Sequence, residues 1–375
     1  MKRISIRKIV FVAIIVSACL SVFQIFSFNS RSPKPSKWKN IFIALNLRNN
    51  ADLIPKMTDR FDNLISLLGH SKLFFSIFSN NNQDDTDLLI EHHFKPLLQQ
   101  RGIAHKIVTN GTTCGGHTVP PKEMNRIEWL ACVRNSAMEP FYNFVLSKQS
   151  DDTLVLFFND IVFSPNDIVD LMETQNGDFD LACGLDFYYN FYDIWVTRGI
   201  DGKYFSAFPP FAMDFKSALG ILKSVSPIVG SATDGVAVKC CWNGVAAIRG
   251  SKFLGENPIS FRSEISKECN TIQSECKLFC EDLGNERKVF INPNVIVAYS
   301  EVFYWMNKLI RNFFIYSIFF ISRIFEFRFN TTDGERMIVM QCEGETKTAI
   351  SSVMFVLVVC ITLIGLVWRY ILKCK

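Results

Sequence analysis

The stretch Leu154-Val-Leu-Phe-Phe-Asn159-Asp160-Ile-Val-Phe163 decides how this 375-residue chain can fold. Five apolar residues run directly into an amide and an acid. A continuous apolar run of this kind predicts a strand buried on both faces, as in the parallel sheets of α/β proteins. Ligands of open α/β sheets bind at the carboxyl ends of such strands. Asn159 and Asp160 are therefore predicted to lie at a ligand-binding edge of a sheet.

Strand-like and helix-like segments alternate through the first half of the chain. The predicted strands are 40–47, 73–79, 105–109, 154–158 and 179–185, and the predicted helices are 52–68, 88–100, 126–144 and 165–174. Repeated strand–helix units require a mainly parallel sheet with right-handed crossovers. We therefore expect an α/β fold in a domain of residues 40–300. The aromatic, turn-rich sequence after Asp186 predicts loops and short antiparallel strands.

Familiar catalytic motifs based on histidine or glycine-rich loops are missing. The sequence has no Gly-x-x-x-x-Gly-Lys-Ser/Thr loop, no Gly-x-Gly-x-x-Gly, no Gly-x-Ser-x-Gly and no His-Glu-x-x-His. All five histidines precede Asn159 in the chain. The net charge of +4 is concentrated near the termini, so nothing indicates nucleic acid as a partner. The remaining candidates are acids and amides: Asn159, Asp160, Asp186, Asp193, Asp234, Asn243, Glu264, Glu275 and Asp282.

Hard oxygen ligands of this kind suit Mn²⁺ or Mg²⁺, and Mg²⁺ typically takes one or two carboxylates together with waters and substrate phosphates. Such a site serves a nucleotide-sugar transferase, because the cation neutralises the departing diphosphate. We expect Asp160 to bind the metal, and Asp186 and Asp193 to hold the sugar or to help order the metal. The alternative is that Asp160 caps the next segment and Asp186 merely ends a strand.

The tripeptide Trp242-Asn243-Gly244 combines an aromatic ring, an amide and a turn residue. This combination can stack on a sugar face and bind its hydroxyls, which predicts an acceptor-binding role for Trp242 and Asn243. A turn that follows a core tryptophan would explain the same residues.

Both ends of the chain carry long uncharged runs flanked by basic residues. Ile9 to Phe28 follows Lys2, Arg3, Arg7 and Lys8, and 349–368 precedes Arg369, Lys373 and Lys375. Each run has about the 20 residues that a helix needs to span a bilayer. We predict a cytosolic stub and anchor in 1–28, a stem in 29–39, a second transmembrane helix in 349–368 and a cytosolic tail in 369–375. A signal peptide ending near Cys19 is the alternative to the first anchor.

The positive charges outside both spans place the intervening segment in the lumen. Asn110-Gly-Thr and Asn330-Thr-Thr are N-glycosylation acceptor patterns within it. We predict an amphipathic juxtamembrane segment in 301–348, with a third span as the alternative. The expected location is the Golgi or ER membrane, with the catalytic domain lumenal and the membrane as a partner.

Nine of the 12 cysteines lie between the predicted spans. They fit a secretory lumen, in which disulfides persist. The Cys276-x-x-x-Cys280 spacing, with Cys269 nearby, leaves a zinc site as the alternative. No histidine and no Cys-x-x-Cys accompanies it, so structural thiols or disulfides are favoured.

An ordered series of motifs resembles the fungal capsule-associated α-1,3-mannosyltransferase family (glycosyltransferase family 69). The motifs are Phe158-Asn-Asp-Ile-Val-Phe163, Cys183-Gly-Leu-Asp-Phe187, Tyr192-Asp-Ile-Trp-Val-Thr-Arg198, Cys241-Trp-Asn-Gly244, Phe261-Arg262, Ser274-Glu-Cys276, Cys280-Glu-Asp282 and Asn292-Pro-Asn-Val-Ile-Val-Ala-Tyr299. The resemblance covers roughly residues 40–300. The ordered set is more specific than any one member.

The resemblance implies a GT-A-like, Rossmann-type nucleotide-sugar fold. It also implies a GDP-mannose donor, Mn²⁺ or Mg²⁺, retention of anomeric configuration and a glycan or glycolipid acceptor. Asn159 and Asp160 stand where such folds place an Asp-x-Asp metal motif, although only one of them is an acid. On this basis Asn159, Asp160 and Arg198 bind the donor. Asp186, Asp193 and Glu275 form the catalytic set.

Two other classes of function compete with a transferase. A catalytically inert relative could serve as scaffold or cofactor for another glycosyltransferase. A metal-dependent hydrolase of a phosphorylated lipid or sugar is the third hypothesis, and the lack of a histidine-rich centre counts against it.

Overall fold

The computed structural model describes residues 15–19, 21, 37–148, 152–188, 190–202, 207–208, 211–212, 235–266 and 271–312. Its strands are β1 (Asn40–Leu47), β2 (Leu73–Ser79), β3 (Ala104–Val108), β4 (Thr153–Phe158), β5 (Leu181–Tyr188), β6 (Asn190–Phe191), β7 (Ala207–Phe208), β8 (Phe211–Ala212), β9 (Val236–Ala237), β10 (Val245–Arg249) and β11 (Val289–Ala298). The helices are α1 (Ile54–Leu68), α2 (Thr86–Leu89), α3 (Lys95–Gln100), α4 (Arg126–Met138), α5 (Phe141–Lys148), α6 (Pro165–Met172) and α7 (Glu275–Asp282), with a π-helical turn (Ile90–Phe94) between α2 and α3. A last helix covers residues 301–312.

Nine of the strands in the described ranges form one mixed sheet. Its order is β3-β2-β1-β4-β10-β5-β11-β9, with β6 paired to β5. Strands β1 to β4 are mutually parallel, β5 and β11 are parallel, and β10 runs antiparallel to both β4 and β5. Six strands therefore point the same way, which confirms the predicted α/β class. The carboxyl ends of β1, β2, β4, β5 and β11 share one edge.

The apolar run that precedes Asn159 forms β4, as predicted. All six of its residues are buried, because β4 lies between β1 and β10 with helices on both faces of the sheet. Phe158 packs on Phe61 of α1 with ring centroids 5.0 Å apart, and Phe163 contacts both rings. Aromatic pairs at this spacing are stabilising beyond their buried area. This packing fixes the backbone on either side of Asn159 and Asp160.

Two predicted segments differ from the elements observed. The helix predicted over 126–144 is two helices, α4 and α5, and Pro140 in the junction explains the break because it cannot donate to the helical ladder. In the second half, β11 is a ten-residue strand parallel to β5 rather than a short antiparallel one. Its register shifts between Ile291 and Ile296, a bulge that accommodates Pro293 within a paired strand.

Disulfides connect the second half of the domain to the sheet. Cys183 of β5 pairs with Cys241, and the adjacent Cys240 pairs with Cys280 of α7. A third bond joins Cys114 to Cys132 of α4. Cys276 is buried with a free thiol. The cysteines of the predicted zinc alternative are thus in disulfides or free as far as the described residues extend, and Cys269 lies outside them.

The helix of residues 301–312 packs on the domain through polar contacts. Tyr304 and Lys308 both donate to the buried Asp167 carboxylate of α6, over 3.1 and 2.7 Å. Arg311 donates to the carbonyl oxygen of Asn294, over 2.7 Å.

The predicted membrane segments lie largely outside the described residues. These predictions concern 1–28, of which only residues 15–19 and 21 are described, together with 29–36, 313–348, 349–368 and 369–375. Within the described ranges, no helix is both long and apolar enough to cross a membrane.

Candidate active site

Asn159 and Asp160 follow β4 directly and are held in place by two neighbouring loops. The Asn159 N–H donates to the Gly244 carbonyl oxygen over 2.8 Å. Asn50, in the loop after β1, donates its side-chain amide to Asp160 Oδ2 over 2.9 Å. Burial raises the pKa of Asp160, against the opposing hydrogen bond from Asn50 and the charge of Arg134. A half-buried carboxyl therefore stands at the carboxyl edge of the sheet, as the sequence predicts.

Asp186, which is buried, and Asp193, which is half-buried, form a carboxyl pair. Asp186 lies near the carboxyl end of β5 and is fully buried, and the chain turns back so that the Asp193 N–H donates to Asp186 Oδ1 over 3.3 Å. Burial raises the pKa of Asp186 to about 6. Burial and the charge of Asp186 together raise the pKa of Asp193 well above its ordinary value. Because two adjacent carboxylates repel each other, the pair keeps a proton to higher pH than a solvated carboxyl does.

Tyr299, just after β11, connects the carboxyl pair to the end of β4. Its hydroxyl donates to Asp186 Oδ2 over 3.2 Å. Burial raises the pKa of Tyr299 well above its usual value, while a hydrogen bond with Asn159 opposes that rise. The phenol therefore stays protonated and serves as a donor.

Arg134 of α4 is the cation at the centre of this cluster. Its Nε lies 3.1 Å from Glu275 Oε1, and its Nη1 donates to Asn159 Oδ1 over 3.3 Å. The guanidinium carbon lies 4.9 Å from the ring centroid of Trp242 and 5.2 Å from that of Phe157. Desolvation lowers the pKa of Arg134, but the surrounding acidic groups raise it overall, so the charge persists. One arginine therefore interacts electrostatically with three acids: Asp160, Asp193 and Glu275.

Glu275 begins α7 and is 3% exposed. Ser274 caps that helix by accepting the Cys276 N–H. An acid in the first turn is favourable because of the helix dipole. The structure thus brings the predicted catalytic residue Glu275 to the same cluster as Asn159, although they are far apart in sequence.

Trp242 and Asn243 are buried beneath the cluster. The indole is 1% exposed and packs on Phe157, Phe261 and Phe279. The Asn243 side-chain oxygen accepts from the Trp242 N–H over 2.9 Å and from the Thr197 hydroxyl over 3.2 Å. Both side chains contribute to the core, as the alternative interpretation holds. Their acceptor-binding role stays a prediction, and it would require their burial to change.

Arg198 is also buried and donates to the backbone. Its Nη1 lies 2.8 Å from the Thr197 carbonyl oxygen, and its own backbone bridges to Cys240. These contacts brace the loop that carries Asp193. The donor-binding role of Arg198 stays a prediction.

The donor set at the carboxyl edge fits a hard cation. Among the described residues, no three His, Cys, Asp or Glu side chains form a complete metal site. A cation such as Mg²⁺ needs only one or two carboxylates when substrate phosphates complete its shell. The half-buried Asp160 carboxylate is a ligand of this type, and its role as a metal ligand stays a prediction.

Asn110, the first predicted glycosylation site, lies in an exposed loop after β3 with φ +50°. Such a position leaves the side-chain amide open to solvent. The second site, Asn330, is outside the described residues.

Arg134, Asn50 and Tyr299 are the site residues to which the sequence assigned no role. Arg134 lies inside a predicted helix, and its partner Glu275 is 141 residues away. Asn50 follows a predicted strand, and that position could have identified it. Tyr299 closes the last family motif but carried no chemical signal of its own.

A curated protein resembles this chain in sequence. Alpha-1,3-mannosyltransferase CMT1 of Cryptococcus neoformans var. neoformans serotype D (strain JEC21) is 27% identical over 280 residues, which cover 71% of this chain. The match extends over 59% of CMT1, so this chain corresponds to little more than half of that relative.

Two solved structures are more distant. The mannosyltransferase PcManGT from Pyrobaculum calidifontis, in complex with GDP-Man and Mn²⁺, aligns with a TM-score of 0.41 and 10% identity, over 77% of this chain and 65% of PcManGT. Residues 1–349 of S. aureus TarS align with a TM-score of 0.37 and 12% identity, over 70% and 60% of the two chains.

A sequence profile matches residues 40–282, from the first residue of β1 to the last of α7. That interval holds Asp160, Asp186, Asp193, Glu275 and Arg134 together. The profile is described as Cryptococcal mannosyltransferase 1, and this chain belongs to that family.

Proposed function

We propose that this protein is a membrane-anchored glycosyltransferase that moves mannose from GDP-mannose to a hydroxyl of a glycan or glycolipid acceptor. The proposed reaction is a retaining α-1,3-mannosyl transfer that depends on Mn²⁺ or Mg²⁺. The observation that carries the proposal is the convergence of Asp160, the Asp186–Asp193 pair and Glu275 around Arg134, within the region that defines the family.

At the donor end, Asn50 orients the Asp160 carboxylate. Asp160 would hold the divalent cation, which supplies charge neutralisation for the leaving diphosphate. Asn159 is fixed on one side by Gly244 and on the other by Arg134, so the donor end is preorganised before substrate arrives. This preorganisation suits a transfer reaction in which the protein mainly has to position the donor.

At the acceptor end, the shared proton of Asp186 and Asp193 gives the pair both a charged oxygen and a proton-bearing oxygen. Such a pair can accept a hydrogen bond from a sugar hydroxyl and can take up its proton as the new glycosidic bond forms. Tyr299 stabilises the charge on Asp186. Glu275, neutralised by Arg134, adds a second acidic oxygen close to Asn159.

The proposed compartment is the lumen of the Golgi or ER. Three disulfides in the domain favour an oxidising environment. The exposed Asn110 loop and the uncharged runs of 9–28 and 349–368 agree with a protein of the secretory membranes.

The test is a donor screen with the full-length chain in detergent. We expect mannose transfer from GDP-mannose with Mn²⁺ or Mg²⁺, loss of transfer with chelator, and little transfer from UDP-glucose. Asp160→Asn should lower transfer by about 100-fold or more, since removing a preorganised electrostatic contact typically costs this much. Transfer at the wild-type rate in Asp160→Asn would refute the metal assignment. Absence of both transfer and GDP binding in the wild-type chain would favour an inert relative.

A further inference from the structure

A series of aromatic rings leads outward from the carboxyl pair. The ring centroids of Tyr299 and Tyr192 are 4.7 Å apart, and those of Tyr192 and Tyr188 are 6.1 Å apart. Tyr188 in turn contacts Phe303 of the last helix at 5.4 Å. We call Tyr188, Tyr192 and Tyr299 the tyrosine rim. It links the buried acids to the protein surface without a break.

The outer members of the tyrosine rim are exposed. Tyr188 is 58% and Tyr192 is 51% exposed. Single exposed tyrosines are common, but here two are in ring contact beside a cluster of acids, and ligand sites typically combine aromatic side chains with a few convergent polar groups. Aromatic rings with a polar tip provide contact area at a low cost in conformational entropy.

The inner end of the tyrosine rim is joined to the catalytic acids. The Tyr299 hydroxyl binds Asp186 Oδ2, and the Tyr192 N–H donates to the Asp186 carbonyl oxygen over 3.0 Å. Tyr192 also directly precedes Asp193. Because of this continuity, a ligand that lies on Tyr192 has one end within reach of the carboxyl pair.

The buried Trp242 offers no such surface, since its ring is enclosed by three phenylalanines. The polar character of the neighbouring carboxyls favours a hydroxyl-rich ligand over a purely apolar one. A pyranose ring fits both demands, because it has an apolar C–H face and hydroxyls at its edge.

We propose that Tyr188 and Tyr192 form the acceptor subsite. The two phenol rings are inclined at 65°, so a hexose ring of the glycan acceptor stacks on one of them, contacts the edge of the other and directs a hydroxyl toward Asp186 and Asp193. This inference rests on the proposed function for the identity of the acceptor, but not for the existence of the sugar subsite. It assigns acceptor binding to exposed residues rather than to Trp242 and Asn243.

The first test separates acceptor binding from donor binding by kinetics. Tyr192→Ala and Tyr188→Ala should each raise the acceptor KM about tenfold while the donor KM changes by less than about twofold, because a lost ring contact removes roughly that much affinity. Tyr192→Phe keeps the ring and should recover most of the acceptor affinity that Tyr192→Ala loses. Tyr142→Ala is the matched control, since Tyr142 is 60% exposed on α5, which contacts the amino-terminal side of the sheet. Unchanged acceptor KM in both alanine variants would overturn the inference.

The second test needs no turnover. Saturation-transfer NMR on the full-length chain in detergent, with an α-linked mannose disaccharide and no donor, should show sugar signals that disappear in Tyr192→Ala. If the wild-type chain transferred no mannose yet bound the disaccharide through Tyr192, the proposed function would fail and the subsite would stand. A wild-type chain that binds no disaccharide would overturn the subsite.

A membrane contact is the competing explanation for the exposed tyrosines. It predicts that Tyr188→Ala weakens binding to phosphatidylcholine vesicles and leaves acceptor KM and disaccharide binding unchanged. That result would replace the sugar subsite by a membrane-facing surface.

Discussion

Arg134 and Glu275 form an ion pair of 3.1 Å across 141 residues of sequence, and both side chains are almost fully removed from solvent. This pair joins α4 to α7, two helices on the same side of the sheet. Arg134 also donates a hydrogen bond to the side chain of Asn159. A buried pair of this kind is costly to break, because each partner alone would be an uncompensated charge.

We predict that Arg134→Met destabilises the fold by about 3–5 kcal/mol and abolishes transfer, because Glu275 loses its counter-charge. Arg134→Lys keeps the charge but cannot contact Glu275 and Asn159 at once. It should therefore recover most of the stability and little of kcat. Urea unfolding and initial-rate kinetics on the same preparations would check this. A parallel loss of stability and kcat in both variants would show that Arg134 is only structural.

The carboxyl pair predicts an unusual pH dependence of stability. The folded pKa of Asp186 lies above its unfolded value, so the folded chain holds more protons between about pH 4 and pH 6. The contribution of Asp186 to stability should therefore fall as the pH rises through this window and then level off. Each unit by which the folded pKa exceeds the unfolded pKa corresponds to about 1.4 kcal/mol of unfolding free energy.

Asp186→Asn should flatten that part of the curve of unfolding free energy against pH, measured by urea titration. Asp178→Asn is the control. The hydrogen bond from Lys288 lowers the pKa of the exposed Asp178, so the contribution of Asp178 to stability should rise with pH where that of Asp186 falls. Identical curves for wild type and Asp186→Asn would contradict the raised pKa.

Gly244 should not tolerate a side chain. Its φ is +68°, and an added Cβ would lie 2.9 Å from Val297 Cγ2 and 3.0 Å from Ile161 Cγ2. We expect Gly244→Ala to cost about 2–4 kcal/mol from backbone strain and overpacking together. We also expect the rate of mannose transfer to fall in the fraction of the variant that stays folded, since the Gly244 carbonyl oxygen accepts the hydrogen bond from the Asn159 N–H.

Gly284→Ala supplies the matched control for this substitution. Gly284 has φ +89° but nothing within 4 Å of an added Cβ, so only the strain of about 1–2 kcal/mol applies. Thermal unfolding of both variants would separate strain from crowding. Equal losses of stability in the two variants would show that the side chains around Gly244 can move aside for the added methyl group without destabilising the fold.

The last helix should detach when Asp167 is replaced. The Asp167 carboxylate accepts from both Tyr304 and Lys308, and it is 2% exposed. Asp167→Ala leaves the Lys308 ammonium without its carboxylate, which should cost about 3–5 kcal/mol of local stability. Hydrogen exchange over 301–312 should accelerate, while exchange in β4 should change little. Exchange that accelerates equally in β4 would indicate global rather than local destabilisation.

The sequence predicts the donor end of the site because the signal there is local. Apolar residues up to Phe158 define a buried strand, and a polar residue that follows such a strand must lie at the sheet edge. The same reasoning assigns Asp178 and Asp180 to the opposite end of β5, where Asp180 Oδ2 accepts the Lys288 N–H over 2.9 Å.

The remaining parts of the site could not be predicted from local pattern. Arg134 occupies an ordinary helical position, and only the packing of α4 against α7 gives it a partner. The antiparallel insertion of β10 between β4 and β5 likewise depends on tertiary pairing, since a run of four apolar residues does not encode a strand direction. The sequence around Trp242 is compatible with a core position or a sugar contact, and the burial of Trp242 follows from the phenylalanines around it.

Adjacent cysteines 240 and 241 reach toward different partners, Cys280 on a helix and Cys183 on a strand. Four thiols allow three pairings, and two of them would join the wrong segments. During synthesis Cys183, Cys240 and Cys241 emerge before Cys280, so a premature Cys183–Cys240 bond would leave Cys241 and Cys280 facing the wrong neighbours. Chains that form this premature bond can mature only through thiol–disulfide exchange, and expression hosts without an isomerase should accumulate them.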